Sequence, residues 1–422
     1  MRALALLALA IATAGCPTAT VGTIELGLTA APGSVLLESV TRLRVTLTHP
    51  FQVVEASRGA NGFAVALDVE ATGESGAIIV EGFDVNGSLV AAGNSPEFGI
   101  AAIDARIVVY MSTPFDVARA PVTLAPARAN VAGDRLPYGV IFAGGRDAAN
   151  APSDAVAIYN AFDHSLVGGK PLPAPRDGIV VASGASGTVS LFGGRDAAGN
   201  PTGTYWLFDT TFAPTGAYLE VSDQAGFARA DDVAITIGLD KFVLTGTPAI
   251  EIAGATVTAH TEVAGLAPSA ASFVTANGVR TALALEATTG RFVRFHDGVL
   301  ELLAIARPGG AVAALPDGRF VVVGGGSAEE ANDVLVVDAT GAVTSVPDVL
   351  AAPRVGAHVA ATRRHVVITG DPIEILDATT LAPVVTRAAI DGLPFALPND
   401  QVLIVDRANG ELSLFTPPPP GV

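Results

Sequence analysis

From Thr23 onward, apolar and polar positions alternate in short runs. Ile24, Leu26 and Leu28 keep a period of two, as do Leu43, Val45 and Leu47, and then Phe63, Val65, Leu67 and Val69. That spacing predicts strands with one buried face. Asn86-Gly87, set between Phe83/Val85 and Leu89, predicts a hairpin turn, and Ile107 to Met111 a final strand. So many short strands over residues 23–117 predict a β-sandwich of immunoglobulin-like type. The chain has no Cys…Trp…Cys core there, so the strand order stays open.

Beyond residue 118 alternation gives way to repetition. A short apolar strand, often ended by glycine, recurs as GVIFAGG (from Gly139), TVSLFGG (Thr188), KFVLTG (Lys241), RTALAL (Arg280), RFVVVGGG (Arg319), HVVITG (His365) and QVLIVD (Gln401). Each is followed by a second strand: AVAIYN, TYWLFD, AIEIAG, RFVRFH, VLVVDATG, IEILDATT and LSLFT. Cycles of about 35–50 residues have the period of propeller blades. The rhythm favours seven blades, with six as the alternative. The last cycle is one strand short, since only Pro417 to Pro420 follow it closely. Val122 to Leu124 is expected to supply the missing outer strand and close the ring.

Two cycles carry a finer pattern. In the first, Pro175-Arg176 precedes the inner strand, Gly193-Gly194 ends the second strand and Tyr205-Trp206 sits in the third. Gly144-Gly145 and Tyr159 repeat parts of this pattern, as do Gly324-Gly325 and Pro353-Arg354. This resembles the kelch repeat, and the resemblance implies a kelch-like β-propeller over residues 118–416. Its glycines would permit sharp exits from strands, and its aromatics would fill the wedge between sheets. Some kelch propellers are enzymes. Those resembling copper radical oxidases need a Cys–Tyr crosslink, which a chain whose one cysteine is Cys16 does not provide in the propeller.

The first residues read as an export signal. Arg2 gives a positive end and Ala3 to Thr13 an apolar run, too short to span a bilayer. Thr13-Ala14-Gly15-Cys16 resembles the bacterial lipobox, although the family pattern usually has leucine at the Thr13 position. The resemblance implies removal of residues 1–15 and acylation of Cys16, followed by a tether over residues 16–22. A lone cysteine forms no internal disulfide, and lipidation accounts for it. Two or more acyl chains give stable anchoring. Pro17, where aspartate would favour inner-membrane retention, resembles an outer-membrane address if the host is Gram-negative. The expected organisation is therefore signal peptide 1–15, tether 16–22, sandwich 23–117, propeller 118–416 and a proline-rich tail 417–422.

The net charge of −17 disfavours nucleic acid and anionic headgroups. The loops GGRDAANAPSD and GGRDAAGNPTG are near copies. They place Arg146, Asp147, Arg195 and Asp196 at strand exits on one rim. There they are candidates for ligand binding, or for Ca²⁺ through oxygen ligands, against a plainer reading as turns with local Arg–Asp pairs. His358 and His365 flank one hairpin and could approach each other. No HExxH, phosphate loop or dinucleotide fingerprint occurs, and Gly184-Ala185-Ser186-Gly187 does not fit the lipase elbow. No cofactor and no catalytic residue is assigned. The expectation is a non-enzymatic, membrane-anchored envelope lipoprotein. Its propeller would bind an unknown envelope or extracellular protein or ligand. The alternatives are a propeller enzyme acting on a carbohydrate, or a passive part of an envelope assembly.

Overall fold

The computed structural model describes residues 21–420, apart from 61, 62, 64, 71, 72, 100–105, 185, 186, 239, 240, 255 and 275–277. The export segment, Cys16 and most of the 16–22 tether lie outside the described residues, as does Ser186.

Near the N-terminus a four-stranded sheet pairs Gln52–Ser57, Arg42–Leu47, Ile78–Phe83 and Leu89–Asn94 in that order. A three-stranded sheet pairs Ala66–Glu70, Val21–Thr29 and Arg106–Tyr110, the last two in parallel. Both sheets feed one core: Leu43, Val45, Leu47 and Val80 from the first meet Ile24, Leu67, Ile107 and Val109 from the second. The period-two pattern produces this directly, because alternate residues of Arg42–Leu47 are buried.

From Val117 to Phe415 the chain forms seven four-stranded antiparallel sheets among the described residues, each built in chain order except the last. Their inner strands are Ala132–Leu136, Val180–Ser183, Ala234–Gly238, Leu266–Val274, Ala311–Ala314, His358–Ala361 and Gly392–Ala396. Each inner strand packs against the next, and the seventh returns to the first. The result is a β-propeller ring. Between sheets the core is Val, Ile, Leu and Phe, as where Val181 and Leu191 of the second sheet meet Ile141 and Ile158 of the first.

The ring closes through Val117–Arg119, which pairs with Leu412–Phe415 as the outer strand of the seventh sheet. This corrects the expectation for Val122 to Leu124. Pro121 has no N–H to give a ladder; the chain turns there, and Leu124 is buried instead in the core between the first and seventh sheets. The tail is also more than an extension. Pro417, Pro418 and Pro419 are buried, and Arg364 Nη2 donates to Pro418 O at 2.7 Å.

The N-terminal module sits where the inner strands finish. Val108 N donates to Phe162 O at 3.0 Å, and Asn399 Nδ2 donates to Asn94 O at 3.0 Å while Asn94 Nδ2 donates back to Asn399 O. Arg363 reaches Glu97 at 2.8 Å. Phe162, Arg363 and Asn399 all occupy turns at that one end of the ring.

His164 is the buried centre of this joint. Tyr110 N donates to its Nε2 at 3.2 Å, so the ring proton sits on Nδ1, 2.6 Å from Tyr159 Oη. Burial lowers its pKa to about 4, with Asp163 opposing weakly. A folded pKa below the unfolded 6.5 means protons bind the unfolded chain first as pH falls. Stability is therefore expected to drop between about pH 6.5 and 4. Urea midpoints across that range should show a shallower drop for His164→Gln. An unchanged slope would mean that the imidazole does not titrate in this way.

Candidate functional site

A cavity of about 820 Å³ runs along the propeller axis and is lined by the inner strands of all seven sheets. It exists because those strands present small side chains inward. Ala132, Gly133, Ala234, Ala270, Ala313, Ala360 and Ala396 all line it, with Phe395 the largest apolar group. The volume is within the range of small-molecule sites.

One mouth is charged. Inner strands start there, and second strands end there, so residues before the former and after the latter share a rim. Arg146 follows the second strand of the first sheet, and its Nη2 lies 2.7 Å from Asp177 of the second sheet. Arg195 of the second sheet lies 3.7 Å from the same carboxylate and pairs with Asp231 of the third. Asp177 is almost fully buried between the two arginines. Asp232, also on the rim, has its pKa raised to about 6 by burial, against the attraction of Arg229. Arg407 and His358 complete the charged and polar arc from the seventh and sixth sheets.

Arg146 and Arg195 thus reach the cavity, and Asp147 and Asp196 do not line it. Asp147 Oδ1 accepts from Ala149 N and Ala151 N, both at 2.9 Å. Asp196 Oδ1 accepts from Ala198 N and Asn200 N at 2.9 Å, and these amides, Asn200 first, hold its pKa low. Each aspartate closes its own turn, and the arginine beside it pairs with the next sheet. Among the described residues no group of three His, Cys, Asp or Glu is placed to hold a metal ion. His358 and His365 do not meet: His358 pairs with Thr369 at one end of the hairpin and His365 lies at the other.

The repeated glycines and arginines carry the contacts between and within sheets. Gly145 N donates to Arg176 O at 3.1 Å, Gly194 N to Arg229 O at 2.7 Å and Gly325 N to Arg354 O at 2.6 Å. In each case the second glycine of a pair ties one sheet to the next. The first glycine needs its positive φ and the space: a Cβ on Gly144 would stand 2.5 Å from Arg176 O, and Gly193 and Gly324 meet Arg229 O and Arg354 O in the same way.

The arginine side chains turn back into their own sheets. Arg176 donates to Thr204 Oγ1 at 2.9 Å and lies over the Trp206 ring. Arg229 donates to Thr245 O and Pro248 O at 2.6 and 2.7 Å. Arg307 meets Glu330 at 2.5 Å, and Arg354 meets Glu374 at 2.6 Å. Arg128 does the same in the first sheet, donating to Gly144 O and Ala155 O. Tyr205 stacks on Phe192 with ring centroids 5.5 Å apart. Tyr159 belongs instead to the His164 joint.

Sequence reasoning missed Asp177, Asp231 and Arg407 as rim residues, and Arg128, Arg229 and Arg307 as members of the arginine row. The signal for the row was present: each stands four or five residues before the start of an inner strand.

No protein-family model matches the chain, and no curated protein matches it. Among solved structures, one described as "Streptogramin B lyase structure" is 11% identical, over 71% of this chain and 96% of that one, with a TM-score of 0.49.

Proposed function

We propose that the protein is an exported lipoprotein, anchored through acyl chains on Cys16, whose seven-bladed kelch-type propeller is a non-enzymatic binding scaffold. An immunoglobulin-like sandwich at residues 23–117 would link the anchor to the propeller. In a Gram-negative host, Pro17 favours the outer membrane, and the partner is an envelope or extracellular protein or ligand.

The axial cavity carries the binding part of this reading. Its charged mouth opens on the end of the ring opposite the N-terminal module. A chain tethered through that module would hold the mouth away from the anchor. The recurring Gly-Gly and Arg contacts support the kelch type, and the core shared by two sheets supports the sandwich.

Anchoring has a direct test. Cys16→Ala is expected to abolish acyl labelling and move the protein from the membrane pellet to the soluble fraction. A variant that still sediments with membranes would overturn the lipid anchor. Affinity capture with Arg195→Ala set against the parent chain would test the charged mouth as the binding face; equal capture by both would argue against it.

A further inference from the structure

We infer that the charged mouth of the axial cavity holds a carboxylate-binding site built on Arg407, with Asn130 and His358 beside it. This deepens the proposed binding role of that mouth and rests on it.

Three arginines occupy one place in three successive sheets. Arg407 N donates to Asp391 O at 3.0 Å, Arg146 N to Ala129 O at 2.8 Å and Arg195 N to Asp177 O at 2.7 Å. Each bond joins the end of a second strand to the residue that leads into the inner strand of the same sheet. From this shared position Arg146 and Arg195 extend to a carboxylate of the following sheet, Asp177 and Asp231 respectively.

Arg407 belongs to the seventh sheet, so its following sheet is the first. There, Ala129-Asn130 stands where the second sheet has Asp177-Gly178. Among the described residues, the carboxylate that neutralises Arg146 has no counterpart for Arg407. What remains is Asp391 of its own sheet, 3.8 Å away and 77% exposed. A pair that long and that wet contributes little. The guanidinium lines the cavity with its side chain 45% exposed and with most of its donors unspent.

His358 lies on the same wall, from the neighbouring sheet. Its Nε2 is enclosed and has no hydrogen-bond partner among the described residues. Burial first, then the positive charge of Arg407, lower its pKa, while Asp391 opposes them. An anion on Arg407 would cancel the second of these effects. Asn130 adds an amide at the rim.

The chemistry favours a planar monoanion. One guanidinium fork matches one carboxylate in a bidentate pair. A dianion such as phosphate would meet the same single cation together with the field of Asp391, Asp177 and Asp231. The bore beyond, walled by alanines, leaves room for the body of a carboxylic acid.

The test uses the full chain labelled with ¹³Cε1-histidine and titrated with sodium acetate against sodium chloride at constant ionic strength. The His358 signal is identified by its loss in His358→Gln. The expected result is a saturable acetate shift of that signal in the millimolar range, with the His164 and His365 signals unmoved. Arg407→Gln should weaken the acetate effect at least tenfold, and without acetate it should raise the His358 titration midpoint. An equal shift in chloride, an undiminished shift in Arg407→Gln, no acetate shift, or tighter binding of inorganic phosphate would each overturn the carboxylate site. None of these outcomes bears on the anchor or on capture by the Arg195 variant, so the two readings fail separately.

Discussion

Arg354→Ala is expected to destabilise the protein by about 3–5 kcal/mol, because it leaves a buried carboxylate without its cation. Arg354 and Glu374 have side-chain exposures of 4% and 3%. Arg354 Nε and Nη2 both donate to Glu374 Oε1, and Nη2 also donates to Pro372 O. Glu374 Oε2 accepts from Ala351 N at 2.7 Å, so the pair also fixes the loop leading to the sixth inner strand. Removing the arginine strands the glutamate and frees that loop. Removing both charges should cost far less, because an apolar pair of similar volume avoids desolvation. Urea unfolding of Arg354→Ala and of Arg354→Met/Glu374→Leu checks this. The double variant should recover most of the loss. A single variant within 1 kcal/mol of the parent, a value typical of exposed pairs, would show that the pair is solvated.

The row that contains Arg354 shows what the sequence could and could not reveal. Pro-Arg and Gly-Gly recur at fixed places, and their spacing exposes the strand rhythm and the repeat. Their backbone roles follow from chemistry alone, since a sharp exit at φ of +64° for Gly144 favours glycine. The partners do not follow. Arg146-Asp147 reads as a local pair because the residues are adjacent. An aspartate in a turn, however, reaches the amides two and four residues on, and the longer arginine crosses to the next sheet. Only the ring brings Asp177 there.

The two histidines of the sixth sheet were misplaced for a related reason. Two residues that flank an antiparallel hairpin meet only if the register pairs them, and here His358 faces Thr369. The closure strand was displaced by a few residues because two short segments, Val117–Arg119 and Val122 to Leu124, offer equivalent apolar character. Backbone pairing decides between them, and composition does not report pairing. The His164 joint was illegible altogether. It depends on a turn of the first sheet meeting Tyr110, and nothing local to either segment marks the contact.

The largest loss is expected from disrupting the closure strand. In the triple variant Val117→Gly/Ala118→Pro/Arg119→Gly the chain keeps its length, so neighbouring residues are not drawn into the gap. Proline removes a backbone donor, and the glycines remove side chains while adding chain entropy. The seventh sheet is left with three strands and an unpaired edge. Leu414 and Phe415, both buried, lose the strand beside them. Val117 also packs on the cluster containing Ile375 and Phe415, so the sixth sheet loosens too. Arg119 O accepts from Tyr110 Oη at 2.8 Å, which ties the same strand to the N-terminal module. Each exposed large side chain costs about 1.5–3 kcal/mol when fully uncovered. Partial exposure of these two, with the lost ladder and the loosened sixth sheet, makes a drop in melting temperature on the order of 10 °C the expected result. The control is Val122→Ser, in the segment that does not pair, which should shift the midpoint only slightly. Equal melting of the triple variant and the parent would mean that the packing between the first and seventh sheets holds the ring shut without the closure strand.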